Sequence, residues 1–353
     1  MFTGIIRSFF SRGAKAAVGD ACVLVVLLLP RAACAQAFLP PAGEGNVTAT
    51  YQNVFTRGHL SNTGQQLTKS FAEDPDIVRA HSLLWDFEFG LTDRVAFNVS
   101  LPFISAKYEG TDPHPYGFNR QPTDLDNGTY HGSFQDFHAG VRFNLRSRPL
   151  AITPLVEAIV PSHQYESVGH SVIGLDLRAL VVGVAVGGFV DAPVPGIYFQ
   201  TQFSHAVVQK VLGIRPNRTR LDSEIGYFVT HRLAVRFLES LQVTHDGLDF
   251  FPDSTSLVHI HSRNEPFPLL PPYDFYFNHD RIERINFLNL GAGILFAVND
   301  SFDVFANGSK LVWGGNIHPP RGLSVGANWH FRVRRGAAPQ SSAQQTRPVA
   351  SLG

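Results

Sequence analysis

The segment that decides the fold reads LLWDFEFGLTDRVAFNVSLPF, from Leu83 to Phe103. Large apolar side chains occupy every second position before the turn at 91–94 and again after it, and Asp86 and Glu88 lie between the aromatic ones. A period of two on both sides of a short turn predicts a β-hairpin. Because carboxylates alternate with large apolar groups, we expect one face to meet membrane hydrocarbon and the other to meet water or polar partners.

The same alternation recurs on both sides of further short turns at 146–149, 191–195, 230–232 and 299–301. The predicted strands around these turns are 137–145, 150–160, 175–190, 197–207, 221–229, 290–298 and two that begin at 233 and 302. An opening strand at 46–55 and a closing strand at 322–331 bring the count to about twelve.

The connectors between the predicted strands alternate in length. The long ones lie near 56–76, 105–134, 161–172, 209–219 and 245–279, with a modest one at 314–321. Short periplasmic turns, long extracellular loops and an even strand number are typical of bacterial outer-membrane barrels. The predicted fold class is therefore all-β, a transmembrane antiparallel β-barrel of about twelve strands.

The first 37 residues are predicted to be a cleaved signal peptide. Three basic residues precede the apolar stretch 21–29, and small residues follow it, so we expect cleavage after Ala35 or Ala37. A retained anchor is the weaker alternative because the stretch is short for a transmembrane helix. A lipoprotein signal at Cys34 is disfavoured because Arg31 stands where such signals carry an aliphatic residue. The barrel is then predicted at 38–331.

Composition limits what the mature chain can do. Residues 1–37 contain both cysteines, four basic residues and one acidic residue, so the 29 basic and 29 acidic residues of the whole chain become 25 and 28. No disulfide or thiolate metal site remains, and the slightly negative charge does not favour a nucleic-acid partner. No apolar run after the signal is long enough for a membrane-spanning helix, so an integral protein must be a barrel. We expect no cofactor.

The closing strand carries a barrel-assembly signal. Its spacing is polar-x-Gly-x-x-aromatic-x-aromatic, formed by Ser324, Gly326, Trp329 and Phe331. The expected partner is the outer-membrane barrel assembly machinery. Such a strand usually ends the chain, whereas 332–353 follows here and is predicted to be a disordered polar tail.

Several short motifs resemble an outer-membrane family described as phenol meta-pathway degradation-like or putative transporters, which is similar to fatty-acid porins. They are Gly43-Glu44-Gly45, the hairpin from Gly90 to Arg94 with Ser100-Leu101-Pro102-Phe103, the stretch Gln135 to Gly140, and the stretch from Val160 to Tyr165. The resemblance implies a barrel and uptake or binding of small hydrophobic compounds.

The alternation predicts which polar side chains face the barrel lumen. The candidate lumen-lining residues are Asp86, Glu88, Asn98, His138, Arg142, Glu157, Asp176, Arg178, Asp222, Glu224 and Arg236. Both signs of charge are present, so these groups either pair and fill a closed interior or line a path for a solute. Structural filling is the simpler interpretation.

One long connector is unusually aromatic and is a candidate ligand-binding loop. Its candidate residues are Phe250, Phe251, Phe267, Tyr273, Phe275 and Tyr276. Packing against neighbouring loops is an equally good explanation. His259 and His261 in the same connector are two possible metal ligands, but a third ligand is lacking, so we expect no metal site.

A lipid hydrolase on the outer wall of the barrel is a further alternative. The candidate bases are His245 and His205, but neither accompanies a nucleophile motif, and adjacent residues such as Ser204 and His205 point to opposite faces of a strand. We therefore expect no catalytic residues. The sequence favours an outer-membrane channel or transporter for small hydrophobic molecules in a Gram-negative bacterium, with outer-membrane lipid and a small apolar ligand as partners. A closed structural barrel is the second hypothesis and the hydrolase the third.

Overall fold

The computed structural model describes residues 37–66, 77–110, 124–190, 196–251, 259–261, 265–266 and 277–333. Twelve antiparallel strands form the fold. They are β1 (Glu44–Arg57), β2 (Ile77–Thr92), β3 (Val95–Glu109), β4 in two parts (His131–Phe134 and Asp136–Phe143), β5 (Leu150–Pro161), β6 (Ala179–Val190), β7 (Ile197–Val208), β8 (Arg218–Phe228), β9 (Leu233–Thr244), β10 (Asn286–Asn299), β11 (Phe302–Gly315) and β12 (Pro320–Arg332). No helix in these ranges is long and apolar enough to cross a membrane.

The sheet closes on itself through its first and last strands. Strand β1 pairs with β12 from Glu44 opposite Arg332 to Thr56 opposite Pro320, while every other strand pairs with its sequence neighbours. Closure leaves no edge strand unpaired, as a barrel in lipid requires. The predicted all-β, twelve-stranded antiparallel barrel is confirmed.

The period of two sorts side chains between an outer wall and a lumen. In β2, Leu83 is 39% exposed and faces outward, whereas the adjacent Leu84 is 2% exposed and faces inward. Aromatic rings cluster on the outer wall near the ends of the strands, for example Phe87 with Phe97 at 5.3 Å and Phe89 with Phe331 at 6.2 Å between centroids. Such an apolar wall with aromatic girdles fits the two interfaces of a membrane.

The two ends of the barrel differ as predicted. Tight turns join strands at one end, which we call the periplasmic end because short turns lie there in outer-membrane barrels, and longer connectors lie at the other end, which we call extracellular. Several predicted boundaries were wrong, including the following two. The strand predicted from 175 begins only at Ala179, and the connector predicted at 105–134 is shorter because β3 continues to Glu109 and His131–Phe134 pairs with it. The interruption falls at Gln135, whose N–H donates to the carbonyl oxygen of Pro102.

A short N-terminal strap, residues 37–42, lies against the periplasmic end of the lumen. Ala37 is fully buried, its N–H donates to Gln200 Oε1 at 3.0 Å, and its carbonyl oxygen accepts from Thr153 Oγ1 at 2.7 Å. Gly90 permits the crossing, because a Cβ there would lie 2.3 Å from the Pro41 carbonyl oxygen. The strap thus connects β2 with β5 and β7.

The residues before the strap and the tail after 333 lie outside the described ranges. The signal peptide, its cleavage site and the disordered tail therefore stay predictions.

Candidate functional site

A cavity of about 400 Å³ occupies the lumen. Its wall changes character along the barrel axis. Toward the extracellular end the inward side chains are mainly aliphatic, and we call this part the apolar chamber. Its wall includes Val78, Ala80, Ile104, Ala106, Ile173, Leu177, Val181, Ala206, Val208 and Phe287. These residues come from the extracellular ends of β2, β3, β6, β7 and β10 and from the connector between β5 and β6.

That connector, residues 162–178, folds into the barrel mouth and supplies part of the chamber wall. Asp126 holds it by accepting from the backbone N–H groups of His170 and Ser171 at 2.9 and 3.2 Å. Arg281 holds its other end, because Nε donates to the Leu175 carbonyl oxygen at 3.0 Å. Four hydrophobic residues in other connectors, Val211, Ile214, Leu248 and Ile282, pack around Leu177. Hydrophobic burial thus holds the connector in the extracellular mouth of the barrel, beside the chamber.

Below the chamber, ion pairs and hydrogen bonds join inward side chains of neighbouring and more distant strands, and we call this set the polar layer. Arg142 is its centre: Nε lies 4.0 Å from Glu88 Oε1, and Nη2 donates to Gln202 Oε1 at 3.5 Å. Glu157 pairs with His138 at 2.9 Å and accepts from Asn98 Nδ2 at 3.2 Å. Because these groups are almost completely buried, removal of one partner would leave a costly unpaired charge.

A second part of the polar layer lies on the opposite side of the barrel. Arg236 Nη1 lies 3.6 Å from Glu224 Oε2, its Nε donates to Asn307 Oδ1 at 3.0 Å, and its guanidinium stacks over the Phe305 ring at 5.0 Å. Tyr198 Oη donates to Glu224 Oε1 at 2.5 Å. These contacts brace β7, β8, β9 and β11 against one another.

The structure brings most of the sequence-predicted lumen residues into these two groups. The cavity wall includes Asp86, Glu88, Asn98, His138, Arg142, Glu157 and Asp222, while Glu224 and Arg236 are buried beside it. Asp176 and Arg178 lie elsewhere, since both precede β6. Asp176 has a positive φ of 50° and lies 3.6 Å from Arg281, and Arg178 is exposed.

The residues of the assembly signal lie on β12. Ser324 Oγ faces the lumen and accepts from Asn307 Nδ2 at 3.1 Å, whereas Trp329 and Phe331 pack together on the outer wall. Recognition by an assembly machinery stays a prediction.

The aromatic loop is described only in part. The Phe250 ring packs edge-on against His59 at 5.0 Å, and Phe250 joins the cluster around Leu177, so its side chain helps to close the barrel mouth. Phe251 is partly buried. Phe267, Tyr273, Phe275 and Tyr276 lie outside the described residues. Within the described ranges no three metal-ligating side chains converge, and His261 contacts Asp249 at 3.2 Å.

The candidate hydrolase residues do not form a serine–histidine pair. Ser204 faces the lumen, whereas His205 lies on the outer wall and contacts Thr219 Oγ1 at 3.0 Å. His245 Nε2 contacts the same hydroxyl at 2.6 Å. The two imidazoles therefore meet at a threonine near the extracellular end of β8.

Two residues of the cavity wall, Arg218 and Arg220, were not predicted from the sequence. The strand was predicted to begin at 221, whereas β8 begins at Arg218, so both arginines extend the inward-facing series that continues with Asp222 and Glu224. The charged residues at every second position from 218 to 224 could have predicted that both arginines face the lumen.

The connector in the barrel mouth also contains perturbed ionisable groups. Burial, and to a lesser degree the neighbouring Asp124 and Asp126, raise the pKa of Glu166. Burial and the Asp136 carboxylate raise the pKa of Tyr165, whose hydroxyl donates to Asp136. The uncharged forms of both groups are therefore favoured where the connector is docked.

Comparison with known proteins gives the fold class. No protein-family model and no curated protein matches the sequence. The chain is similar in structure to an outer-membrane channel from Pseudomonas putida, with a TM-score of 0.59 at 10% identity over 84% of this chain and 98% of that one. It is more distantly similar to the translocator domain of the autotransporter NalP from Neisseria meningitidis, with a TM-score of 0.43 at 10% identity over 83% and 90% of the two chains. A FadL homologue from Pseudomonas aeruginosa gives 0.36 at 9% identity over 84% and 93%. The fold is thus that of an outer-membrane β-barrel.

Proposed function

We infer that the protein is an outer-membrane channel or transporter for small apolar molecules, and that it belongs with the phenol meta-pathway degradation-like transporters that its motifs resemble. The observation that carries the inference is the apolar chamber. A barrel whose interior served only to fill space would be expected to pair or pack its inward side chains throughout, whereas here a cavity of about 400 Å³ remains in the lumen and its extracellular part is lined mainly by aliphatic side chains.

The chamber has the chemistry of a ligand site rather than of a water-filled pore. Inward aliphatic side chains gain little from water, but they contribute roughly 25 cal/mol per Å² of apolar surface that a ligand buries against them. The polar layer beneath the chamber would slow the passage of ions, because the Arg142 side chain crosses the lumen between Glu88 and Gln202. An apolar solute that enters from outside would therefore be held above this layer.

The test measures binding of decanol to the mature chain in lipid nanodiscs by equilibrium dialysis, with empty nanodiscs to subtract partition into lipid. The test variant is Leu177→Asn, which places an amide in the chamber wall. The matched control is Leu212→Asn, because Leu212 is exposed on an extracellular connector. Heat-modifiable gel migration verifies that each barrel is folded.

We expect the wild-type chain and Leu212→Asn to retain decanol above the empty nanodiscs, and Leu177→Asn to bind roughly tenfold more weakly, as a polar group in an apolar pocket costs about 1–3 kcal/mol. Equal retention by folded wild-type protein and empty nanodiscs would contradict the proposed function and favour the closed structural barrel.

A further inference from the structure

Arg218 is a cation in the cavity wall without a counter-ion in contact. It lies at the extracellular end of β8, opposite Ala206 of β7, where the apolar chamber meets the polar layer. Its side chain forms neither a hydrogen bond nor an ion pair with any residue in the described ranges. Since an isolated charge is costly in apolar surroundings, a guanidinium in this position is suited to an anionic partner.

The carboxylates of the cavity wall are already engaged. Asp136, whose charge acts on Arg218 electrostatically, accepts a hydrogen bond from Tyr165. Asp222 accepts from Ser240 Oγ at 2.5 Å and from Arg220 Nη2 at 3.1 Å. The other acidic side chains of the wall also accept hydrogen bonds from neighbouring donors, for example Glu157 from Asn98 and Asp86 from Ser100. The acidic groups therefore have hydrogen-bonded partners, whereas the Arg218 guanidinium has none among the described residues and interacts with Asp136 only at longer range.

A second arginine strengthens the positive potential at this point. Arg220 lies two residues further along β8 and therefore faces the same side of the strand. Its Nη2 donates a hydrogen bond to Asp222, but its buried Nε–H has no acceptor among the described residues. Both arginines thus retain N–H donors at the floor of an apolar chamber, and an ammonium group placed there would be repelled by them.

We propose that Arg218 binds the headgroup of an amphipathic organic anion, a carboxylate or sulfonate, whose apolar body occupies the chamber formed by Ile173, Leu177, Val208 and their neighbours. The proposal rests on the proposed function, because it uses the same chamber, and it adds the charge of the ligand. Arg218 would then determine specificity, since the aliphatic walls hold alkyl chains of any headgroup.

The experiment compares three ligands with the same alkyl chain, namely decanesulfonate, decanol and decyltrimethylammonium, in the nanodisc dialysis assay at neutral pH. The sulfonate is chosen because it stays ionised. The variants are Arg218→Gln, which removes the charge and keeps the approximate size, and Arg218→Lys, which keeps the charge. Arg232→Gln is the control, because Arg232 is exposed in a periplasmic turn.

We expect decanesulfonate to bind more tightly than decanol, and Arg218→Gln to weaken sulfonate binding by about tenfold or more while decanol binding stays within about twofold, as loss of a charge-assisted hydrogen bond predicts. Arg218→Lys should recover part of the loss, and Arg232→Gln should match the wild type.

Two outcomes would overturn the proposal alone: decanol binds but the sulfonate binds no tighter, or Arg218→Gln leaves sulfonate binding unchanged. Tighter binding of decyltrimethylammonium than of the sulfonate would overturn it as well, in favour of a cationic ligand. If neither decanol nor the sulfonate exceeds the empty nanodiscs, the proposed function fails together with the charge assignment.

Discussion

The apolar chamber and the polar layer are built on the same twelve strands, yet they differ in how their inward positions are used. In the polar layer Arg142 spans the lumen between Glu88 and Gln202, so the interior is joined by side chains. In the chamber the inward residues include small apolar ones such as Ala80 and Ala106, so the same cavity has a mainly aliphatic wall there. One barrel can therefore be stabilised by charged side chains at one level and offer an apolar wall to a ligand at another.

We expect the periplasmic half of the lumen, which contains the polar layer and the strap, to provide most of the resistance to solute passage. Deletion of residues 38–42 from the mature chain should give the largest effect. We expect the single-channel conductance in a planar bilayer to increase, because the strap passes beside Gly90 and its Phe38 ring packs 5.4 Å from the Phe189 ring. Phe38→Ala, which keeps the backbone of the strap, should give a smaller increase. Unchanged conductance in a folded deletion variant would mean that the polar layer alone limits the current.

Removal of the central charge of the polar layer should lower stability. Arg142→Met leaves Glu88 in a buried site without this counter-ion, and we expect a loss of about 3–5 kcal/mol in the free energy of unfolding. Arg146→Met, in an exposed periplasmic turn, is the control. Urea unfolding followed by gel migration measures both. The double variant with Glu88→Gln should recover part of the loss, and its failure to do so would show that the pair is not the source of the effect.

A larger side chain in the chamber should weaken ligand binding without disturbing the polar layer. Ala106→Phe projects a ring into the cavity and should weaken decanol binding roughly tenfold, since an overfilled site costs about 1–3 kcal/mol, while the polar layer stays intact. Ala139→Phe makes the same change on the lipid-facing wall, where Ala139 is exposed. Equal decanol binding by the two variants would show that the ligand lies elsewhere.

The smallest expected effect concerns the connector beside the chamber. The raised pKa of Glu166 means that the docked connector binds a proton more tightly than an undocked one. Docking should therefore strengthen as the pH falls through this raised pKa and weaken above it. Hydrogen exchange of residues 162–178 at acidic and neutral pH, corrected for intrinsic rates, measures the change. Glu166→Gln should abolish the difference, and a difference that persists in this variant would implicate Asp124 or Asp126 instead.

The local sequence pattern predicted the barrel well because successive side chains of a strand point to opposite faces, and this alternation is visible in the sequence. Leu83 and Leu84 could be assigned to opposite faces from the sequence alone, and the structure places them there. One strand boundary was wrong because a connector imitates the strand pattern. Residues 175–178 alternate apolar and charged side chains ahead of β6, yet they belong to the connector, where Arg281 donates to the carbonyl oxygens of Leu175 and Asp176.

The amino-acid sequence by itself determined that the chain alternates in twelve segments, which face of each segment is polar, and that short and long connectors alternate. These properties are local, because side-chain direction in a strand depends only on parity. Only the tertiary structure decided which charges meet, since Arg142 and Gln202 are 60 residues apart and come together across the lumen. It also decided where space remains: connector 162–178 folds into the mouth and lines the chamber, and the register of β8 places Arg218 in the cavity wall, where no described residue forms an ion pair with it.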